Sequence, residues 1–184
     1  MKKAILLLTL LLLSINSNAQ RDGGDFSGSA LGGYSKNGYN GQIHVDYYIP
    51  YTNLILEGRL MYVGQQLPTP YDEKMNLQQF GFSALIGWSP EKQIKHPFFL
   101  NFLLGGYVGY DYGNNGKEIF SQYQIPFDTS KYNKINYGFI TSAQGEVNLS
   151  ETISIIGDFS QVFRFGSEFG KYTFYANGGL KFYF

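Results

Sequence analysis

Residues 135–149 read Ile-Asn-Tyr-Gly-Phe-Ile-Thr-Ser-Ala-Gln-Gly-Glu-Val-Asn-Leu, and their alternation decides the fold. Every second position, Ile135, Tyr137, Phe139, Thr141, Ala143, Gly145, Val147 and Leu149, falls on one face. Asn136, Gly138, Ile140, Ser142, Gln144, Glu146 and Asn148 fall on the other. A helix would scatter both sets around its axis. A strand sends the first toward lipid and the second toward a polar lumen. The same period runs through residues 152–165, where Ile153, Ile155, Phe159, Phe163 and Phe165 oppose Ser154, Asp158, Ser160 and Arg164. It recurs in 77–88, with Phe80, Phe82, Ala84, Ile86 and Trp88 outward.

Working outward, eight such segments are legible: Phe26–Ser35, Gly41–Tyr48, Leu54–Gln65, Leu77–Trp88, Phe98–Tyr112, Ile135–Leu149, Thr152–Phe165 and Tyr172–Phe184. Most exceed the ~9–11 residues that a tilted strand needs to cross a bilayer. The first is Gly- and Ser-rich and alternates least. Connections after even segments are Ile49–Asn53, Ser89–Pro97 and Ser150–Glu151; those after odd segments include both long loops, Gln66–Asn76 and Gly113–Lys134. Short periplasmic turns and long external loops are the asymmetry of an outer-membrane barrel. The fold class expected is all-β, an eight-stranded antiparallel transmembrane β-barrel with both termini periplasmic.

Composition agrees. The chain has 184 residues, 23 Gly, 16 Tyr, 16 Phe, one Trp and no Cys. Its 14 basic residues balance its 14 acidic ones, so no basic face for nucleic acid is expected. The absence of Cys excludes disulfide frameworks, thiolate metal sites and cysteine nucleophiles. Abundant aromatics with modest overall hydrophobicity suit a wall that is apolar on one face only and ringed by aromatics at both interfaces.

Residues 1–19 read as a secretory signal peptide. Lys2 and Lys3 are the positive start, Ala4–Leu13 the apolar run, and Ser17 and Ala19 the small residues of a cleavage site. The barrel domain is then expected over residues 20–184, in the cell outer membrane.

Eight strands leave a lumen just wide enough for side chains to fill it. The inward set expected there is Asp46, Glu57, Arg59, Glu146, Asp158, Arg164 and Lys181, with His44, Asn101 and Gln144. Isolated charges would be costly in such a lumen, so opposite charges should pair. Glu57 with Arg59, two apart on one strand, and Asp158 with Lys181, on adjacent strands, are the pairs suggested. The bland reading is a polar plug that rigidifies the barrel; a proton or ion path is the sharper one. On the lipid face Gly58, Gly106, Gly145, Gly157 and Gly178 interrupt the apolar band, as curvature or a protein contact would require.

No catalytic constellation is legible. The two histidines are His44, expected inside, and His96, beside Pro97 in a turn. There is no GxSxG, HExxH or P-loop pattern. Asp111, Glu118 and Asp128 lie near or in the long loop and read as solvated acids. No enzyme activity, cofactor or metal is expected.

The chain ends Asn177-Gly178-Gly179-Leu180-Lys181-Phe182-Tyr183-Phe184. This resembles the C-terminal signal by which the barrel-assembly machinery receives outer-membrane proteins, with Gly179, Phe182 and Phe184 as its marks. From Phe98 onward the chain is also similar to the TraO family of conjugative-transposon transfer proteins. Phe98-Phe99-Leu100 leads to Gly109-Tyr110-Asp111, then Asn114 or Asn115, Gly116 and Lys117. Leu149-Ser150-Glu151, Ile153, Ile155, Phe163, Gly166, Gly170 and Gly179-Leu180-Lys181-Phe182 follow at similar spacing. Phe165 departs from the pattern, where Trp is expected. The resemblance implies a component of a conjugation apparatus, with outer-membrane lipid and other envelope transfer proteins as partners. It implies no catalytic residues. The candidate contact region is the long loop, with Phe120, Tyr123, Phe127 and Tyr132; those near the strand ends read as interfacial-belt aromatics, and Phe120 and Tyr123 stay open as binding anchors. The alternative is a general outer-membrane barrel for adhesion or envelope integrity.

Overall fold

A computed structural model describes residues 24–35, 38–68, 74–90, 98–113, 119–120, 126–127, 133–167 and 171–184. The expected leader lies outside them. The strands are β1 Phe26–Ser35, β2 Gly38–Tyr48, β3 Leu54–Pro68, β4 Lys74–Trp88, β5 Phe98–Gly113, β6 Ile119–Phe120, β7 Pro126–Phe127, β8 Lys134–Asn148, β9 Ile153–Phe165 and β10 Tyr172–Tyr183. Eight of them close into a barrel in the order β1-β10-β9-β8-β5-β4-β3-β2. Every pairing is antiparallel, and β1 meets β10 from Ser27↔Tyr183 to Ser35↔Tyr175. Closure leaves no unpaired edge, which a strand surrounded by hydrocarbon cannot have.

Alternation sets the two faces. In β9, Ser154, Ile156, Asp158, Ser160, Val162 and Arg164 are buried, while Ile155, Phe159 and Phe165 are exposed. β1, the least regular segment in sequence, obeys the same rule, because Ser27, Ser29, Leu31 and Ser35 all point inward. Exposed aromatics gather toward both ends of the wall. Tyr34, Tyr39, Tyr110, Tyr137 and Tyr172 stand at one end, and Phe26, Trp88, Phe98 and Phe182 at the other. Between them the outside is apolar, with Ile43, Val45, Leu60, Phe82, Leu104 and Phe159 exposed. Polar inside and apolar outside, with aromatic rings at both rims, is the arrangement of a transmembrane barrel.

Several segments run longer than their sequence reading. β2 begins at Gly38, and β3 and β4 extend to Pro68 and from Lys74. Polar alternation had masked these rim residues. The long loop contains a short hairpin, β6 with β7, in the register Ile119↔Phe127 and Phe120↔Pro126.

Glycines on the outer face line up in register. Gly145 faces Gly157, Gly157 faces Gly178, Gly178 faces Gly32 and Gly32 faces Gly41. The row crosses β8, β9, β10, β1 and β2, roughly 20 Å at ~4.8 Å per strand. A shorter row, Gly58–Ala84–Gly106, crosses β3, β4 and β5. A Cβ would meet nothing closer than ordinary contact at any of these glycines. Packing therefore does not demand glycine there; the rows leave bare backbone facing the hydrocarbon. Inside, the reverse holds at Gly81 and Gly109, which face each other across β4 and β5. The Tyr107 ring lies over both, and a Cβ would stand 2.6 Å from that ring at Gly81 and 2.1 Å from its hydroxyl at Gly109.

Candidate functional site: the filled lumen

The lumen is stacked in levels that can be followed along β9. At the end where β1 begins and β10 finishes, near Ser27 and Tyr183, Lys181 sits between two carboxylates, with its Nζ 2.7 Å from Asp46 Oδ2 and 2.7 Å from Glu146 Oε1. Its ammonium also donates to the Tyr48 hydroxyl at 3.1 Å. The Ser27 hydroxyl donates to Asp46 at 2.9 Å. Asn101 Nδ2 and the Tyr183 hydroxyl donate to Glu146 at 2.7 and 2.5 Å.

One level further in, Arg59 joins Glu57 and Asp158. Its Nη2 is 2.6 Å from Glu57 Oε1 and 3.1 Å from Asp158 Oδ2. Gln144 Nε2 donates to the second Glu57 oxygen at 2.6 Å. Ser142, Ser160 and Asn177 all donate to Asp158. His44 Nε2 lies 2.9 Å from Gln42 Oε1, and its Nδ1 3.5 Å from Glu57 Oε2. Among the described residues, Lys181 in the first cluster and Arg59 in the second each serve two carboxylates, and Ser, Tyr, Asn and Gln donors add to their solvation.

Next comes an apolar layer: Met61, Val63, Leu85, Leu103, Ile140 and Val162 pack together with Tyr107 and Tyr175. It fills the lumen above the charged clusters. Beyond it, at the outer end, Arg164 donates to Thr173 and Gln79, each at 2.6 Å, and to the Tyr175 hydroxyl. Its guanidinium lies 5.5 Å from the Tyr107 ring centre. Asp111 accepts from Gln79, from Asn136 at 2.7 Å and from Ser167 at 2.9 Å.

The inward set expected from sequence is therefore inside: Asp46, Glu57, Arg59, Glu146, Asp158, Arg164 and Lys181, with His44, Asn101 and Gln144, are all buried. The Glu57–Arg59 pair forms. The suggested Asp158–Lys181 pair does not. In the β9–β10 register Lys181 faces Ser154 while Asp158 faces Asn177, two inward levels away. Asp111 is a second correction, being a fully buried lumen residue rather than a solvated loop acid. Its signal was its parity with Tyr107 and Gly109 on β5. The apolar layer was also missed. Its sequence mark is the loss of alternation in Leu60-Met61-Tyr62-Val63, where both faces are apolar.

Of the candidate contact residues, the backbones of Phe120 and Phe127 belong to the β6–β7 hairpin. Tyr123 and Tyr132 lie outside the described residues, as do His96, Glu118 and Asp128. Gly179 sits against β1, where a Cβ would stand 2.0 Å from the Ala30 carbonyl oxygen, and Phe182 and Phe184 point outward. Among the described residues no group of three or more His, Cys, Asp and Glu is arranged to hold a metal ion.

Wall and lumen together define an eight-stranded transmembrane barrel whose interior is packed with side chains. Solved structures share this architecture. A major outer membrane protein from Thermus thermophilus superposes with a TM-score of 0.66 at 12% identity, over 87% of this chain and 99% of that one. OprG of Pseudomonas aeruginosa superposes at 0.55 with 11% identity, over 92% and 99%. Ail, the attachment invasion locus protein of Yersinia pestis, does so at 0.55 with 11% identity, over 87% and 97%. At such identities the likeness is one of fold. No protein-family model matches the chain. No curated protein matches it either.

Proposed function

We propose that this protein is a non-enzymatic barrel of the outer membrane that works as a scaffold or surface-contact component of a conjugative DNA-transfer apparatus. The observation that carries the scaffold reading is the filled lumen: the layer of Met61, Leu85, Leu103, Ile140 and Val162 leaves no path for a DNA strand or a solute. Function then belongs to the wall and the rims. The only described histidine, His44, is held inside with Gln42 and Glu57, away from lipid and solvent, which supports a role without catalysis.

The conjugation reading rests on the resemblance of residues 98–184 to the TraO family. Its partners would be the barrel-assembly machinery, through Gly179, Phe182 and Phe184, then other envelope transfer proteins, reached by the loop that carries Phe120, Tyr123, Phe127 and Tyr132. A second reading, a barrel for adhesion or envelope integrity, is supported by the shared fold of Ail, an attachment invasion protein by its description. The test is transfer frequency from a donor lacking the gene, with and without complementation. A large, complemented loss is expected. Unchanged transfer refutes the conjugation role and leaves the adhesion reading, which recipient-independent surface binding would then measure.

A further inference from the structure

The outer rim is uneven. β2 stops pairing with β3 at Gly38↔Gln65, and β5 stops pairing with β4 at Leu77↔Gly113. β3 and β4 stay paired to Pro68↔Lys74, so among the described strands this pair extends beyond its two neighbours. At its foot, beside the end of β2, lies a cavity of about 330 Å³. Tyr39, Gly64 and Gln78 are direct neighbours across three strands, and Gln66 faces Asn76 in the next row. Gly64 makes room for the aromatic ring: a Cβ there would stand 2.7 Å from Tyr39.

One ring face and three amides thus converge on the outward side of the wall. None of the described residues lining the cavity is charged. Just below lie Tyr62, 6.2 Å from the Tyr39 ring centre, and Phe80, 5.1 Å from Tyr62. These rings belong to the interfacial belt, so the cavity opens at the headgroup level of the adjoining leaflet. An amide offers a donor and an acceptor together, which matches the paired hydroxyls of a sugar. A tyrosine face suits the apolar C–H face of a sugar ring.

We propose that Tyr39, Gln66, Asn76 and Gln78 bind the saccharide headgroup of a glycolipid in the outer leaflet. This rests on the membrane reading above. The lateral opening favours a lipid-borne sugar over one arriving from solution.

The test uses the full chain folded in phosphatidylcholine nanodiscs doped with digalactosyl diacylglycerol. Native mass spectrometry counts the lipids retained, and heat-modifiable gel migration reports folding separately. Wild type should retain the glycolipid in preference to phosphatidylcholine. Tyr39→Ala with Gln66→Ala should retain about tenfold less glycolipid while folding normally. Asn76→Ala with Gln78→Ala is the second variant, should the first fail to fold. Equal retention of both lipids by wild type, or unchanged retention by a folded variant, overturns the proposal. Displacement by free lactose at low millimolar concentration would overturn the glycolipid source, since the sugar alone would then suffice. A wild-type chain that does not fold in lipid refutes the membrane reading instead.

Discussion

Lys181→Met removes the cation that Asp46 and Glu146 share while keeping the side chain's length and most of its packing. Two carboxylates then stay behind in a closed lumen. Breaking a buried ion pair by deleting one partner costs about 3–5 kcal/mol. The lower end applies here, because both carboxylates keep neutral donors: Ser27 on Asp46, and Asn101 and Tyr183 on Glu146. The expected loss is therefore about 3 kcal/mol, measured by urea unfolding from phospholipid vesicles. The fluorescence of Trp88 serves as the probe, since the chain has one Trp and it stands exposed at the wall's inner rim. Adding Asp46→Asn and Glu146→Gln removes the stranded charges and should recover most of the loss. A single variant that costs under about 1 kcal/mol would refute the burial argument. So would a triple variant no more stable than the single one.

Other outcomes follow from the same geometry. Phe159→Arg, at the middle of β9 and exposed to lipid, should cost about 2–4 kcal/mol and impair heat-modifiable folding, whereas Lys117→Ala in the long loop should not; equal folding of both would overturn the facing assigned to β9. Gly109→Ala places a methyl against the Tyr107 hydroxyl and should destabilise by about 1–3 kcal/mol in the same urea assay. Tyr51 turns between β2 and β3 with φ 60°, so Tyr51→Gly should be neutral or stabilise by up to about 1 kcal/mol. In planar bilayers the wild-type barrel should give no steady conductance steps; reproducible steps would contradict the apolar closure of the lumen.

The wall was legible because period two survives wherever one side meets lipid. β1 was matched to the residue, Phe26–Ser35, even though its inward face is mostly serine. What the sequence hid lies where both faces share one character. Near the middle of the lumen Met61 and Val63 are as apolar as their lipid-facing neighbours, so the sealing layer looked like strand noise. At the outer rim the inward Gln65 is followed by the outward Gln66, so both faces turn polar, and the chain from Gln66 to Asn76 looked like loop. Pairing partners inside the lumen were also beyond reach. Asp158 and Lys181 are adjacent in strand order, but only the register tells that they sit at different depths, and register is a property of the closed sheet.

The outward glycine row bears on how this barrel shuts. Gly32 and Gly178 sit on either side of the junction between β1 and β10, and Gly28 shares their lipid-facing side. At the level of that pair little on the lipid side distinguishes one offset from the next, because the large outward side chains, Phe26, Tyr34, Phe174 and Phe182, stand nearer the rims. The key is held within. Lys181 of β10 reaches past the serines of β1 to grip Asp46 of β2, so a shifted seam would strand that ammonium away from its acid. Alignment of the last zipper is thereby entrusted to a bolt thrown from the inside.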